Sequence, residues 1–214
     1  MSAAQETDTG EHSPRRRLSE ADRIRLVQEA AEALFLRDGY GEATMDEVAQ
    51  LVGMSKRTLY QLYPSKAALF EAVMQDCLCP FALDLALENE PDLAVALTGM
   101  LVAAARHLFQ PRQVAIFRLV IAEVKRAPEL ADAFHRAGPG RGASGIERRL
   151  ATEIAAGRLA IADAQQAAHV LFGMALGTAH MFLLLGLQGP PTEAEIQQQV
   201  SEAVRVFLGG AARS

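Results

Sequence analysis

Two helix-start signals, at Thr44 and Ser55, stand close together and constrain the fold more than any other feature of the chain. Thr44 and Glu47 have the spacing of a capping box, in which each side chain satisfies a free backbone amide at the start of a helix. Gly53 suits the left-handed conformation that ends a helix, and Ser55 can then cap the next one. The sequence therefore predicts a short helix at about 45–51, followed by a sharp turn.

The start and the end of the second short helix are also predicted by the residues that flank it. It is predicted at about 55–62, because Pro64 disfavours helical geometry in the residue before it. Ser65 is then placed to cap a further helix. Two short helices joined by a three-residue turn that contains glycine are what a helix-turn-helix unit requires.

The rest of the chain also carries helical periodicity. Apolar residues recur at spacings of three and four, and Pro91, Pro111 and Pro128 stand where a first-turn proline opens a helix. Further helices are predicted at about 19–39, from 65 onward, and at 145–156, 163–186 and 193–208. No strand pair is evident in the sequence, so we predict an all-α fold. The polar, aperiodic residues 1–17 are predicted to be a disordered tail.

Composition narrows the class of protein. Of the 214 residues, 50% are apolar and 22% are charged, which is typical of a folded globular chain. Cys77 and Cys79 cannot supply the disulfide framework of a small secreted domain, and the polar tail lacks the apolar stretch of a secretory signal. We therefore expect a cytoplasmic protein. Neither a catalytic arrangement nor metal-ligand spacing is evident, so no enzyme activity, cofactor or metal site is predicted.

The distribution of charge matters more than its total. A net charge of -5 argues against a nucleic-acid partner, since phosphate attracts basic surfaces. However, no acid occurs between Glu47 and Glu71, and Lys56, Arg57 and Lys66 all lie in that window. The sequence therefore predicts a local basic patch on and around the second short helix.

This helix has one face suited to a DNA groove and another suited to packing. The groove face carries Lys56, Arg57, Tyr60 and Gln61, and the packing face carries Leu59 and Tyr63. The first residues of such a helix lie nearest the base edges, where Arg57 can bond guanine and Gln61 can bond adenine. Thr58 suits a base or a phosphate; Thr44, Tyr60 and Lys66 suit phosphate. A short basic helix can also be no more than a solvated face.

The order of residues favours DNA binding over that alternative. The stretch ALFLRDGYGEATMDEVAQLVGMSKRTLYQLYPSKAALF closely resembles the DNA-binding domain of the TetR family of bacterial transcriptional regulators, over about residues 18–70. The family's pattern is matched at Phe35, Gly39, Tyr40, Thr44, Gly53, Ser55, Thr58, Leu59, Tyr60, Ser65 and Lys66. Val52, Met54 and Tyr63 depart from it but stay apolar or aromatic. The resemblance implies DNA contacts by Thr44, Ser55, Lys56, Arg57, Thr58, Tyr60, Gln61, Tyr63 and Lys66.

The resemblance also implies a domain division and a mode of action. Residues 18–64 would form a three-helix DNA-binding domain, and residues 65–214 a larger helical domain for effector binding and dimerisation. The segments FRLVIAEVKRAPELADAFHRAGPGR and PPTEAEIQQQVSEAVRVFLGG are similar to the C-terminal domain of the AefR-like subgroup. The implied protein is a homodimeric repressor that a small hydrophobic or amphipathic effector releases from a palindromic operator in double-stranded DNA. A regulator controlled by a protein or by redox, and an activator, are the alternatives.

The larger domain supplies candidates for an effector pocket and a dimer seam. The pocket candidates are Leu97, Met100, Leu101, Ala104, Phe117, Val120 and Met174, which at helical spacing can equally be plain core. The seam candidates are Gly173, Gly177, His180, Leu184, Val200, Val204 and Phe207. The apolar run that contains the first four is marginally long enough to span a membrane. The polar helix after it favours instead a helix buried against its own domain and a partner subunit, so no membrane partner is predicted.

Three further motifs keep two interpretations each. Residues 140–145 match the dinucleotide-binding pattern G-x-G-x-x-G, but no strand precedes them, so an interhelical loop is favoured. Arg15, Arg16 and Arg17 form either an arm that contacts DNA or a solubilising flank. Cys77 and Cys79 are either redox sensors or inert core, since reactivity depends on exposure and pKa.

Overall fold

A computed structural model describes residues 19–78, 85–137 and 144–211, and within these ranges every regular element is a helix. The helices are α1 (Glu20–Asp38), α2 (Met45–Leu51), α3 (Lys56–Leu62), α4 (Lys66–Cys77), α5 (Leu85–Glu88), α6 (Leu93–Leu108), α7 (Pro111–Glu123), α8 (Glu129–Ala137), α9 (Ser144–Ala155), α10 (Ala164–Leu185) and α11 (Glu193–Ala211). The predicted all-α fold is confirmed. The N-terminal tail with Arg15, Arg16 and Arg17, Cys79, and residues 140–143 lie outside the described ranges.

The N-terminal helices begin and end where their capping residues predict. Thr44 Oγ1 accepts from the Glu47 amide at 3.2 Å, and the Glu47 carboxylate accepts from the Thr44 amide at 2.9 Å, which completes the capping box of α2. Gly53 has a φ of 63° and turns the chain into α3. Ser55 and Ser65 each accept from the backbone amide three residues on, and so cap α3 and α4.

The last two helices differ from their predicted form. α10 contains a π-helical turn at Gly173–Gly177, and such a turn offsets the faces of the helix before and after it. α11 runs to Ala211, beyond the predicted end at 208. Gly209 and Gly210 remain helical there instead of taking the left-handed conformation that ends a helix. The spacing of apolar residues along the sequence predicts neither the π-helical turn of α10 nor the extension of α11 to Ala211.

Buried apolar side chains form two clusters. The first joins α1–α4 with α7 and α8, and at its centre the rings of Phe35, Tyr40 and Phe70 contact one another with centroids 5.2, 5.5 and 5.6 Å apart. The second joins α6 with α9, α10 and α11, and Leu97 and Met100 lie within it. Helices α1–α3 thus share a core with α7 and α8, so the packing continues across the boundary predicted between residues 64 and 65.

Ion pairs add polar links around α4. Arg112 on α7 donates to Glu32 on α1 at 2.8 and 2.6 Å, and to Asp76 on α4 at 2.7 Å. Arg136 on α8 donates to Glu71 on α4 at 2.9 and 2.8 Å. α4 is therefore tied to the first helix of the chain and to two helices of the larger domain.

Candidate nucleic-acid interface

Helix α3 is anchored on one side and open on the other. Leu59 is 0% exposed in the first core cluster, whereas Lys56, Arg57, Tyr60 and Gln61 are exposed to solvent. This is the division of faces that the helical spacing predicts. A single helix can enter the major groove of B-DNA, where its N-terminal residues lie nearest the base edges.

Tyr63 does not belong to the exposed face. It is 9% exposed, it lies in the first core cluster, and its hydroxyl bonds to Gln28. Burial raises the pKa of this phenol. A ring held among core side chains is not available to a phosphate, so we correct the DNA contact predicted for Tyr63 to a packing role.

The small hydroxyl side chains of the interface are engaged in helix caps. Thr44 Oγ1 donates to the Glu47 carboxylate at 2.7 Å. Ser55 Oγ accepts from the Thr58 amide at 3.2 Å and lies 2.8 Å from Thr58 Oγ1. The DNA contacts of these three hydroxyls stay predictions, since each would have to be shared between a cap and the DNA.

Lys66 closes the turn between α1 and α2. Its Nζ donates to the carbonyl oxygens of Tyr40 at 2.7 Å, Gly41 at 2.9 Å and Ala43 at 2.9 Å. The same atom lies 4.6 Å from the centroid of the Tyr40 ring. An ammonium group has three N–H donors, and all three are used here. The phosphate contact predicted for Lys66 therefore competes with a contact that holds the fold.

The two cations at the start of α3 differ in their partners. Lys56 Nζ lies 2.5 Å from the Asp46 carboxylate on α2. Arg57 has no ion pair or side-chain hydrogen bond with any residue that the structure describes. Sequence analysis missed Asp46 because it directly precedes Glu47, outside the acid-free window. Its position on the first turn of α2, the helix next to α3, is the signal that could have found it.

Two family models match the chain. The model described as bacterial regulatory proteins, tetR family, matches residues 28–73, and the model described as AefR-like transcriptional repressor, C-terminal domain, matches residues 95–210. The chain belongs to the TetR family. With both parts of the family present, this TetR-family chain is a DNA-binding transcriptional regulator.

Other TetR-family proteins share its motif and its fold. The HTH-type transcriptional regulator YhgD of Bacillus subtilis is 40% identical over 52 residues, which are 24% of this chain and only 27% of YhgD. A TetR-family regulator from Mesorhizobium loti shares the fold, with a TM-score of 0.76 and 24% identity over 92% of this chain and 100% of its own. The flavonoid-responsive regulator FrrA has a TM-score of 0.72 and 29% identity, over 90% of this chain and 98% of its own.

The seven residues predicted to line a pocket in the larger domain of this TetR-family regulator lie in three different environments. Buried in the second core cluster are Leu97, Met100, Leu101 and Ala104. Phe117 and Val120 pack in the first cluster, and Met174 is 41% exposed. The candidates divide between two cores and the surface, because apolar spacing marks a buried face without showing which helices it meets. We therefore remove Met174 from the pocket.

His180 faces the interior, although it was predicted at the dimer seam. Its ring packs edge-on against Phe117, with centroids 4.6 Å apart, and lies 6.2 Å from the ring of Phe109. Its Nε2 is buried and has no hydrogen-bond partner among the described residues. Burial also lowers the pKa of the imidazole, which favours its neutral form. We correct the seam position of His180 to an interior one beside two aromatic rings.

The seam residues predicted on α11 are core residues as well. Val200 is 0% and Val204 is 2% exposed, because this face of α11 packs in the second cluster with α6. We correct both to core positions. Gly173 and Gly177 are exposed, while Leu184 and Phe207 pack partly against the second cluster, and the seam roles of these four stay predictions.

Exposed apolar residues mark a different surface on the last two helices. They are Val170, Met174, Met181, Leu185 and Val206. Only 28% of the most apolar 18-residue window of α10 is buried, and its mean hydropathy is 1.7. By length and composition alone, α10 could cross a membrane, as its sequence indicates. We call this set of five exposed residues the apolar face.

Cys77 is a buried thiol. It is 1% exposed, its Sγ lies 3.4 Å from Gln113 Oε1, and Gln113 Nε2 donates to the Cys77 carbonyl at 2.6 Å. Burial raises the pKa of the thiol to about 11. The reactive thiolate is therefore scarce at neutral pH, which favours the inert interpretation of Cys77.

Proposed function

We propose that this chain acts as a homodimer that binds a palindromic operator and represses transcription until a small hydrophobic or amphipathic effector releases it. The observation that carries the proposal is the open face of α3, where Arg57 and Gln61 stand exposed beside Lys56 on a helix anchored by Leu59. Arginine suits guanine and glutamine suits adenine in the major groove, so this face can read a half-site. A protein that binds the chromosome of a bacterium works in the cytoplasm.

The apolar face supports the homodimer. Residues 164–192 contain no Asp, Glu, Lys or Arg, and only 28% of the most apolar 18-residue window of α10 is fully buried by its own chain. A large contiguous apolar patch marks an interaction surface. A Cβ at Gly173 or Gly177 would meet nothing within 4 Å, which leaves room for a partner helix to approach closely. Arg118 donates to the carbonyl of Leu183 at 2.8 Å, and a charge at this end of α10 favours a protein partner over lipid.

A two-fold dimer agrees with the symmetry of operator DNA. Two copies related by a two-fold axis present two α3 helices to equivalent half-sites. Such half-sites lie about one helical turn, roughly 34 Å, apart or a multiple of it. A single copy reads only one half-site, so dimerisation contributes directly to operator affinity.

His180 and its neighbouring rings support an effector site in the larger domain. Phe109 and Phe117 offer apolar contacts, and the unpartnered Nε2 would be satisfied by one hydrogen-bonding group on the effector. Coupling to DNA would follow α4, which Arg112 and Arg136 tie to α7 and α8. The effector can shift the separation of the α3 helices only by its difference in affinity for the two states.

The main test removes the cations of α3. We expect the double substitution Lys56→Ala and Arg57→Ala to weaken binding to the DNA upstream of its own gene about 100-fold or more, since a good base contact contributes ~1–3 kcal/mol. The matched control is Lys125→Ala with Arg126→Ala, an exposed Lys-Arg pair between α7 and α8. Fluorescence anisotropy measures both affinities. If the two double variants bind equally well, α3 is not the recognition helix.

Two further experiments test repression and release. Deleting the gene should raise the expression of a reporter driven by that upstream DNA, whereas a fall would make the protein an activator. A flavonoid serves as the probe for release, because FrrA is flavonoid-responsive. Release that His180→Phe abolishes supports the site at His180, and release that this variant retains argues for a site elsewhere. No release at all rejects this class of effector.

A further inference from the structure

Asp46 is an acidic residue at the DNA-binding face, and the spacing of charges along the sequence does not reveal it. Its carboxylate lies 2.5 Å from Lys56 Nζ, and the two side chains are 56% and 66% exposed. Asp46 stands on the first turn of α2 and Lys56 on the first turn of α3, the two helices of the helix-turn-helix. The pair therefore lies at the surface that meets DNA.

The pair changes the charge that this surface offers to phosphate. Lys66 has its ammonium bonded to three carbonyl oxygens, and Lys56 is neutralised by Asp46. Lys56, Arg57 and Lys66 are the cations of the acid-free window, residues 48–70. Of these three, Arg57 has no partner in the described part of the chain. Binding to a duplex gains less from counterion release when fewer free cations meet the phosphates.

We propose that Asp46 is a specificity-determining residue that restrains Lys56 on DNA other than the operator. An exposed ion pair is weak, so Lys56 can exchange Asp46 for the O6 and N7 acceptors of a guanine. A phosphate competes less well, because the charge that attracts Lys56 also repels the neighbouring carboxylate. A base edge carries no net charge and causes no such repulsion. The inference rests on the DNA contact that the proposed function gives to Lys56.

The test is Asp46→Asn, which keeps the shape of the side chain and removes its charge. On a random-sequence duplex at about 50 mM salt, we expect affinity to rise about threefold to fivefold, as expected from freeing one exposed ion pair. The slope of log affinity against log salt should steepen by about 0.9, the value for one further phosphate contact. On an operator selected by the wild-type protein from a random duplex library, affinity should change by less than about twofold, so specificity falls.

Two controls separate the ion pair from a general effect of charge. Asp132→Asn removes an exposed acid on α8 and changes the net charge equally, so it should leave the affinity for random duplex unchanged. In a Lys56→Gln background, Asp46→Asn should raise that affinity by clearly less than it does in the wild type, because only the direct repulsion between the carboxylate and phosphate is then removed. The proposal is overturned if Asp46→Asn has no effect on random duplex, if its effect is undiminished without Lys56, or if Asp132→Asn reproduces it.

Failure of the proposed function gives a different result. If Lys56→Gln changes affinity for neither the operator nor random duplex, Lys56 makes no DNA contact, and both the contact and the inference are rejected. If Lys56→Gln weakens the operator complex while Asp46→Asn changes nothing, only the inference is rejected. Thermal unfolding of each variant checks that the capping box of Thr44 and Glu47 still holds α2.

Discussion

The DNA-binding half of this regulator, α1–α4, and the proposed sensor half, α5–α11, cover their apolar residues to different extents. In the DNA-binding half, Phe35 and Phe70 are 1% and 0% exposed. On α10 of the sensor half, Met181 and Leu185 are 52% and 66% exposed within a helix that carries no charge. The comparison indicates that the DNA-binding half buries its large aromatic residues within one chain, whereas α10 leaves large apolar residues exposed, which fits the proposed homodimer.

The largest effect is expected from removing a core side chain of the DNA-binding half. Phe70→Ala removes the ring that contacts Phe35 and Tyr40 in the first cluster. We expect it to lower the free energy of unfolding by about 3–5 kcal/mol, because a buried cavity replaces the ring. Chemical denaturation followed by circular dichroism measures the change. Tyr60→Ala, at a residue 47% exposed, is the control and should change stability by less than about 0.5 kcal/mol.

The next largest effect is expected from placing a charge in the apolar face of α10. Met181→Asp places a charge in the apolar face, and we expect the dimer to dissociate at micromolar concentration. Operator affinity should then fall about 100-fold or more, because linked binding to two half-sites is lost. Sedimentation velocity and fluorescence anisotropy measure the two effects. Val95→Asp is the control, since Val95 is 53% exposed on α6; if it dissociates the dimer and Met181→Asp does not, the partner surface lies on α6.

A smaller effect is expected from removing the polar contacts of Lys66 in the DNA-binding half. Lys66→Met removes the donors to three backbone carbonyls of the α1–α2 turn. We expect a loss of about 2 kcal/mol in the free energy of unfolding, typical of hydrogen bonds to a charged group. Lys125→Met is the exposed control. If Lys66→Met keeps full stability and loses operator affinity instead, Lys66 acts on phosphate and its internal contact contributes little.

The smallest effects concern how stability depends on pH, with one titratable residue tested in each half. Burial lowers the pKa of His180, so the unfolded state binds more protons just below pH 6.5, and stability should fall as pH drops through that range. Burial raises the pKa of Tyr40 to about 12, so the unfolded state loses its proton first, and stability should fall as pH rises from about 10. His180→Phe should reduce the loss on the acid side, and Tyr40→Phe the loss on the alkaline side. Neither should abolish it, because burial also lowers the pKa of His107 and raises the pKa of Tyr63 and Cys77. Unfolding midpoints across pH measure both; an unchanged profile in either variant rejects that assignment.

The sequence predicts the parts of the fold that depend on near neighbours. Thr44 and Glu47 cap α2 across three residues, and Ser55 caps α3 in the same way, so local chemistry decides both helix starts. The exposed face of α3 follows from the same local periodicity. The contacts of Lys56 with Asp46 and of Lys66 with the α1–α2 turn depend on how helices cross, which spacing along one helix does not contain.

The same limit explains the errors in the sensor half. Val200 and Met181 are both apolar residues at helical spacing, yet Val200 is 0% and Met181 is 52% exposed. Which face of a helix meets its own chain depends on the packing of α6 and α11. The π turn at Gly173–Gly177 adds a further offset, because it rotates the residues after it relative to those before it. His180 lies just beyond that turn and faces inward.

The three-way contact of Arg112 sets a rule for building hybrid regulators. A hybrid joined at residue 65 would take Glu32 from one parent, and Asp76 and Arg112 from the other. A donor that lacks an acid at the position of Glu32 would leave a guanidinium with one of its two carboxylates missing. We therefore expect grafts that carry all three residues, together with the core around α7 and α8, to keep the packing of α1 and α4 against α7 best.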